Sequence, residues 1–176
     1  GWNRPEYAQM GMWPGDEHYQ RRYEYAGEYV QILQALWRDG RATWEGEYFQ
    51  LDDCSVLPQP KREIPLVCAG QSPAGRQFVA EYADHQFVLT SEDNLVTSVK
   101  DIRAKAESTG RDVGIYALFH LIVADTDEQA RTEVDAIIDG ADHGAISNIL
   151  ASADLDTNTG GTADQLKAAL NQSVEA

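Results

Sequence analysis

Cysteine and long apolar runs are both scarce in this chain of 176 residues. Its two cysteines, Cys54 and Cys68, lack metal-ligand spacing, which argues against a zinc site. Cys68 stands in an apolar segment, so we expect a buried reduced thiol in a cytoplasmic protein. No apolar run reaches the roughly 18 to 20 residues of a membrane-spanning helix. We therefore expect no membrane partner.

Positive charge is also scarce. The chain has 14 lysines and arginines but 29 aspartates and glutamates, and its net charge is −15. A surface this acidic argues against binding to nucleic acid or to anionic membranes. The four histidines, at positions 18, 85, 120 and 143, have no metal-ligand spacing, so no metal is expected. A Ser-His-Asp order, a Walker-type loop and a Rossmann glycine fingerprint are absent from the sequence.

The first part of the chain divides into a loop and a helix. Residues 1–20 are rich in glycine, proline and aromatic residues and have no steady period, so we expect an ordered loop. Apolar residues then recur at helical spacing from Tyr23 to Trp37. Gly40 supplies the left-handed residue that commonly ends a helix.

From residue 41 to residue 140 strand and helix patterns alternate. ATWEGEYFQLDD predicts a hairpin and LPQPKREIP an extended connector. Parallel strands are expected at 64–69, 85–90 and 113–124, the last covered on both faces, and helices at 73–83, from about 95 to 109, and 126–138. Thr126 and Gln129 form a capping-box pattern for the last of these helices. A polar loop at 153–164 and a weak helix around 163–171 complete the chain.

Such alternation predicts an α/β fold with a parallel sheet and right-handed crossovers. Two architectures fit: an open doubly wound sheet, or part of a (β/α)₈ barrel. A whole barrel takes about 250 residues. The chain is too short for one, so either the sheet is open or the chain is a piece of something larger.

The stretch IPLVCAGQSPAGRQFVAEYAD, residues 64–84, contains the most informative junction. Gly70 permits a sharp turn after the strand, Ser72 is a good N-cap, and Pro73 suits the first helical position. The helix then presents free amides and the positive end of its dipole at the carboxyl edge of the sheet.

Phosphate groups bind at such strand-to-helix turns in α/β proteins. Ala74 and Gly75 are small enough for a ligand to come close, and Arg76 adds positive charge. The pattern suggests a phosphate site, although from the residues alone Ser-Pro capping of an ordinary helix is the stronger explanation.

Several segments together resemble the bacterial luciferase-like, flavin-dependent monooxygenases. They are the opening Trp-Asn-Arg-Pro-Glu-Tyr run, the Trp-Pro-Gly-Asp turn, Arg22-Tyr23 and the Ala-Gly-Gln-Ser segment, and the likeness covers residues 1–140 in order. Within the family the likeness is greatest to enzymes that open the uracil ring. The resemblance implies a (β/α)₈ TIM barrel that binds reduced FMN at the carboxyl ends of its strands.

The resemblance also assigns residues to the cofactor. It implies that Gln71, Ser72 and the helix amides hold the FMN phosphate, while Arg22 and Tyr23 contact its phosphate and ribityl side. An arginine there can bind phosphate through two parallel hydrogen bonds. From the residues alone, helix solvation by Arg22 and packing by Tyr23 are the stronger explanation.

Two residues of the opening segment are implied to face the flavin ring and substrate. Glu6 matches a position where a carboxylate accepts hydrogen bonds from an imide or holds a water, and it is the candidate catalytic residue. Trp2 matches part of the substrate wall, where it would stack on a flat ring. Without the resemblance, Glu6 would be a surface loop residue and Trp2 a hydrophobic anchor.

The implied reaction uses reduced FMN, supplied by a separate NAD(P)H-dependent flavin reductase, and O₂ as co-substrate. Family members begin with four strands before the opening segment and end with a final strand and helix, both missing here. We therefore expect residues 1–176 to be a single-domain fragment of a barrel whose full-length parent is a homo-oligomer. Within it, 1–20 would be an active-site loop, 21–140 helix and strand units, and 141–176 a variable insertion region. The fragment alone is expected to be inactive.

Two alternatives stay open. The same fold serves monooxygenases of alkanesulfonates, sulfones, chelators or haloaromatics, and deazaflavin-dependent oxidoreductases. In the second alternative, the chain is a non-catalytic flavin-binding or scaffold subunit, or a truncated remnant.

Overall fold

A computed structural model describes residues 3–89, 92–155, 161 and 163–168. The helices are α1 (Arg4–Gln9), α2 (Asp16–Gln20), α3 (Arg22–Asp39), α4 (Pro73–Tyr82), α5 (Glu92–Thr109), α6 (Asp127–Asp139) and α7 (His143–Ala153). The strands are β1 (Arg41–Glu45), β2 (Gln50–Ser55), β3 (Val67–Cys68), β4 (His85–Val88) and β5 (Gly114–Ala117). Residues 163–168, within the range expected for a final helix, are helical.

The opening segment is ordered, but the prediction of a loop is wrong because it forms helices α1 and α2. Gly11 (φ 65°) and Gly15 (φ 98°) lie between them and allow the chain to turn where other residues are strained. Trp13 packs between Tyr7 and Tyr19, with ring centroids 6.3 and 5.3 Å away. Because the helices have only six and five residues, their sequences show no helical period.

Helix α3 and the hairpin are both present as predicted, and they pack together as one unit. Gly40 ends α3 in the left-handed conformation with φ 70°. Strands β1 and β2 pair antiparallel, and Ala42 on β1 packs with Ile32 and Leu36 of α3 in one of the buried apolar clusters. The hairpin is therefore fixed to α3 by apolar contacts.

A carboxylate also ties the hairpin loop to this helix. Glu28 of α3 accepts hydrogen bonds from the backbone N–H groups of Glu47, Tyr48 and Phe49 at 2.8, 3.1 and 3.2 Å. Desolvation alone would raise the pKa of Glu28, but these backbone hydrogen bonds and one from Trp44 outweigh it and lower the pKa. The ionised carboxylate is thus part of the fold.

The second unit is a parallel sheet in the order β3-β4-β5, with α4 and α5 packed together beside it. Val79, Ala80 and Ala83 of the α4 segment pack with Ile102 of α5, and Cys68 and Ile115 of the sheet contact the same cluster. The strand–helix alternation is confirmed, although β3 and β5 are much shorter than predicted.

The last predicted strand is wrong in both length and burial. Strand β5 ends at Ala117, and the apolar residues beyond it are exposed, Leu121 at 84% and Val123 at 89%. The expectation of cover on both faces fails because no second helical layer lies over this part of the sheet in the described residues. The three parallel strands form part of a barrel-like wall and do not close into a barrel.

Helices α6 and α7 also carry exposed apolar side chains. Thr126 caps α6 by accepting from the N–H of Gln129 at 3.2 Å, as the sequence predicts. Ile137 and Ile138 of α6 are nevertheless 63% and 61% exposed. Helix α7 was not expected from the sequence. None of the described helices is both long and apolar enough to cross a membrane.

Candidate anion-binding site

The site predicted after β3 has the expected backbone geometry. The chain leaves β3 at Cys68 and enters α4 at Pro73, which occupies the first helical turn. Ser72 is the N-cap, with its Oγ accepting from the N–H of Gly75 at 3.1 Å. The first turn of α4 holds no acidic residue, so the positive end of the helix dipole is not neutralised there.

The turn and the helix pack backbone against backbone. A Cβ added to Gly70 would lie 2.8 Å from the Cα of Gly75, so any larger residue would push the helix away. A Cβ added to Gly75 would lie 2.7 Å from the Tyr23 hydroxyl oxygen. The ring of Tyr23 contacts Phe78 on α4, with centroids 5.6 Å apart. Tyr23 therefore lies against the first turn of α4, although it is 52 residues away in sequence from Gly75.

Arg22 lies beside Tyr23. Its guanidinium group stacks 4.8 Å from the centre of the Tyr23 ring and 4.2 Å from that of Tyr19. One of its nitrogens, Nη1, donates to the backbone oxygen of Tyr19 at 2.6 Å. An arginine held in this way keeps further N–H donors for another partner, since it has five in all.

The turn between β3 and α4 offers hydrogen-bond donors of the kind that could bind a phosphate. The Oγ of Ser72 accepts from Gly75, but its O–H hydrogen is a separate donor. Ala74 is exposed, and its N–H makes no hydrogen bond within the described residues. The side chains of Gln71 and Ser72 are largely buried, at 5% and 6% exposure. A phosphate would therefore approach across Pro73 and Ala74, which are exposed.

The positive charge that Arg76 adds near the start of α4 is paired with a carboxylate. Arg76 donates to Asp101 of α5 at 2.8 Å, and Lys105 lies 3.6 Å from the same carboxylate. Burial alone would raise the pKa of Asp101, but the Arg76 hydrogen bond and the Lys105 charge outweigh it and lower the pKa. Arg76 thus joins α4 to α5, a contact that sequence spacing does not reveal.

The two residues assigned to the flavin ring stay predictions. Glu6 is exposed in the first turn of α1, and its carboxylate accepts from the side chain of Asn3. No hydrogen bond joins Glu6 to Tyr23 or Ser72 among the residues that the structure covers. Trp2 lies outside the described residues.

A buried glutamine that sequence reasoning missed contacts the same turn. Gln86 of β4 is 1% exposed, and its Nε2 donates to the backbone oxygen of Gly70 at 2.8 Å. The available signal was a polar residue between His85 and the apolar residues Phe87 and Val88 of a predicted strand, where burial without a partner is costly.

A cavity among the described residues lies elsewhere. It has a volume of about 530 Å³ and opens at the opposite edge of the sheet, where the strands begin. Asp84, just before β4, accepts a hydrogen bond there from Arg111 at 3.2 Å. Because this edge is far from the strand ends at which α4 begins, we keep the cavity separate from the candidate site.

The chain is similar to known proteins in both sequence and structure. The profile of the family described as luciferase-like monooxygenase matches residues 1–174. Pyrimidine monooxygenase RutA from Acinetobacter baylyi is 46% identical over 164 residues, which cover 91% of this chain and 44% of that protein. The RutA of Escherichia coli O7:K1 is 44% identical, and the match covers 50% of its length. The chain thus spans about half the length of the curated relatives it matches.

Solved structures share the fold. Riboflavin lyase RcaE, solved with modified FMN and its substrate riboflavin, gives a TM-score of 0.75 at 22% identity, over 86% of this chain and 39% of that one. Long-chain alkane monooxygenase LadA gives 0.68 at 23% identity, over 82% and 39%. At these identities the structural match supports the luciferase-like fold alone. The part-barrel interpretation of the sheet is thereby confirmed.

Proposed function

The chain belongs to the luciferase-like monooxygenase family, and we propose that it forms one side of the flavin site of a monooxygenase that uses reduced FMN and O₂. The observation that carries this proposal is the meeting of Tyr23 with the capped amino-terminus of α4, at the strand ends of a parallel sheet. The names and identities of the relatives support the same activity.

At the turn between β3 and α4, the FMN phosphate would bind the positive, amino-terminal end of α4. The N–H of Ala74 and the hydroxyl of Ser72 would donate to its oxygens, and Arg22 would supply charge from the α3 side. The hydroxyl of Tyr23 would contact the ribityl chain. Each hydrogen bond to a charged group contributes about 1.5 to 3 kcal/mol.

Reduced flavin, once bound, supplies the oxygen chemistry of the reaction. The contribution of this chain is to hold the cofactor tail, to orient the ring and to position the substrate. In this proposal the carboxylate of Glu6 accepts an N–H of the substrate, and Trp2 stacks on the substrate ring.

We propose a pyrimidine such as uracil as substrate, with cleavage of a ring amide bond, because RutA proteins are the relatives at 44–46% identity. A separate NAD(P)H-dependent flavin reductase would supply the reduced FMN. The whole enzyme would act in the cytoplasm as a homo-oligomer. Luciferase-like enzymes for other substrates remain the alternative.

The active enzyme needs more of the barrel than these residues provide. The sheet face opposite α4 and α5 exposes Val67 and Tyr116, and the segment after β5 is exposed as well. This supports the proposal that further strand–helix units complete the pocket. In their absence the chain would bind flavin without turnover.

The test is an oxygen-uptake assay on the protein as its gene encodes it, with FMN, NADH and a flavin reductase. We expect uracil-dependent oxygen consumption and loss of the pyrimidine absorbance, and none of either without FMN. An alkanesulfonate in place of uracil is the substrate control. Flavin binding without uracil-dependent uptake would overturn the oxygenase and leave a flavin-binding subunit.

A further inference from the structure

The cavity beside Arg111 reverses the charge balance of the chain. Among the described residues it is lined by four basic side chains and two acidic ones, whereas the whole chain has 14 basic and 29 acidic residues. Its volume of about 530 Å³ lies within the range of small-molecule sites. A cleft with an excess of one charge concentrates ions of the opposite sign, so this cavity favours anions.

Two of the four basic residues are already paired within the fold. Arg38, near the end of α3, donates to the neighbouring Asp39 at 2.6 Å. Arg111 donates through Nη2 to Asp84 at 3.2 Å and to the backbone oxygen of Ala83 at 3.0 Å. Nη1 of Arg111 makes no hydrogen bond with the described residues and stays available as a donor.

Lys61 and Arg62 carry the positive charge that is not paired. Both are exposed on the connector before β3, and neither side chain forms a salt bridge or hydrogen bond in the part of the chain that the structure describes. Glu63 follows them in the lining, also exposed and without a described partner. The lining therefore offers two unpaired cations against one unpaired carboxylate.

Neutral donors line the same cavity from α3. Gln34 and Trp37 lie about one turn apart, on one side of this helix. The side-chain amide of Gln34 and the indole N–H of Trp37 have no hydrogen-bond partner among the described residues. Donors from α3, from the connector and from the residue before β5 thus meet at one concave site.

We propose that the cavity beside Arg111 binds a small anion with two or more carboxylate or phosphate groups, at a site separate from that of the flavin. Lys61 and Arg62 supply the charge, while Nη1 of Arg111 and the indole N–H of Trp37 donate hydrogen bonds. Trp37 belongs to the α3 unit and Arg111 to the parallel-sheet unit. The bound anion therefore links the two units of the fold.

The test is calorimetric titration of the protein, as its gene encodes it, with citrate and with pyrophosphate at constant ionic strength. We expect at least one of them to bind, and the pair separates carboxylate from phosphate chemistry. The double variant Lys61→Gln, Arg62→Gln should weaken binding about tenfold, because exposed charges each contribute modestly. Glu63→Gln should instead tighten it, because it removes an unpaired negative charge from the lining.

The matched control is the double variant Lys100→Gln, Arg103→Gln. It removes the same two charges from exposed positions on α5 that do not line the cavity. Its affinity should equal that of the wild type, with or without FMN. Equal weakening in the two double variants, weaker binding by Glu63→Gln, or no binding of either anion to the wild type would overturn the inference. Competition between the anion and FMN would overturn the separation of the two sites.

A second measurement needs no variant. In the wild-type protein, the NMR resonance of the Trp37 indole N–H should shift as the anion binds. The indole N–H of Trp44 is the internal control, because it donates to Glu28 at 3.4 Å in the hairpin unit and lies outside the lining. A Trp37 resonance that stays in place while the anion binds would move the site away from this cavity.

Discussion

Ser72 combines two hydrogen-bonding roles at one hydroxyl group. As an acceptor it caps α4 through the N–H of Gly75. As a donor it is proposed to bind the cofactor phosphate. A substitution that separates the two roles is available, because glycine at an N-cap costs only a few tenths of a kcal/mol relative to serine.

Ser72→Gly should therefore weaken FMN binding by about 1.5 to 3 kcal/mol, the value of a hydrogen bond to a charged group, while the melting temperature changes little. Fluorescence quenching by the protein measures the affinity. Thr126→Gly is the matched control, since Thr126 caps α6 by the same type of contact, away from the candidate site. An FMN affinity equal to that of Thr126→Gly would remove Ser72 from the site.

Residue identity alone predicted some of these contacts and not others. Ser72 and Pro73 are residue types that favour the start of a helix, and α4 begins at Pro73 with Ser72 as its N-cap. The pairing of Arg76 with Asp101 and the burial of Gln86 depend on how α4, α5 and β4 pack. No local pattern encodes such packing, so the ion pair of Arg76 and the role of Gln86 were both missed.

At the scale of elements, α3 holds the hairpin through the Glu28 carboxylate. The pKa of Glu28 is lowered from its usual value near 4.5, which means that the folded state favours the ionised form. Its contribution to the free energy of unfolding is therefore complete above the usual pKa and is lost as the pH falls through the lowered value.

Glu28→Gln should accordingly lower the melting temperature at pH 7, and the difference from wild type should shrink at an acid pH below the lowered pKa, where the wild-type carboxylate has gained a proton. Thermal unfolding followed by circular dichroism measures both. Glu81→Gln, on the outer side of α4, is the control and should change little at either pH. If Glu28→Gln lowers the melting temperature equally at the two pH values, the charge of Glu28 is not what holds the hairpin loop.

The sequence predicted long periodic elements better than short ones. Helices α3, α4, α5 and α6 repeat apolar residues over several turns and have clear caps or stops. Helices α1 and α2 are too short for a period, and the apolar run after β5 was taken for strand because composition does not show where pairing ends. Helix α7 had a usable signal, since Asp142 caps it and Ile146, Ile149 and Leu150 follow at helical spacing.

At the scale of the whole molecule, the exposed apolar surface is the main feature. A complete (β/α)₈ barrel is a closed sheet of parallel strands. The described residues of this chain contain three parallel strands, and the chain spans about half the length of its relatives. Large exposed apolar patches mark surfaces that bind other protein.

The isolated chain of 176 residues should therefore self-associate as its concentration rises. Ile137→Glu, on the exposed apolar side of α6, should reduce the association, because it places a charge where apolar contact is expected. Leu57→Glu is the control, since Leu57 is exposed on the connector between the two units. Sedimentation velocity over a range of concentrations gives the answer, and a wild-type chain that stays monomeric throughout would contradict it.

The position of the cofactor tail can be seen directly in a crystal structure of the protein with FMN. We expect phosphate oxygens within about 3 Å of the Ala74 nitrogen and the Ser72 hydroxyl, with Tyr23 beside the ribityl chain. A phosphate bound elsewhere, for example in the cavity beside Arg111, would contradict it.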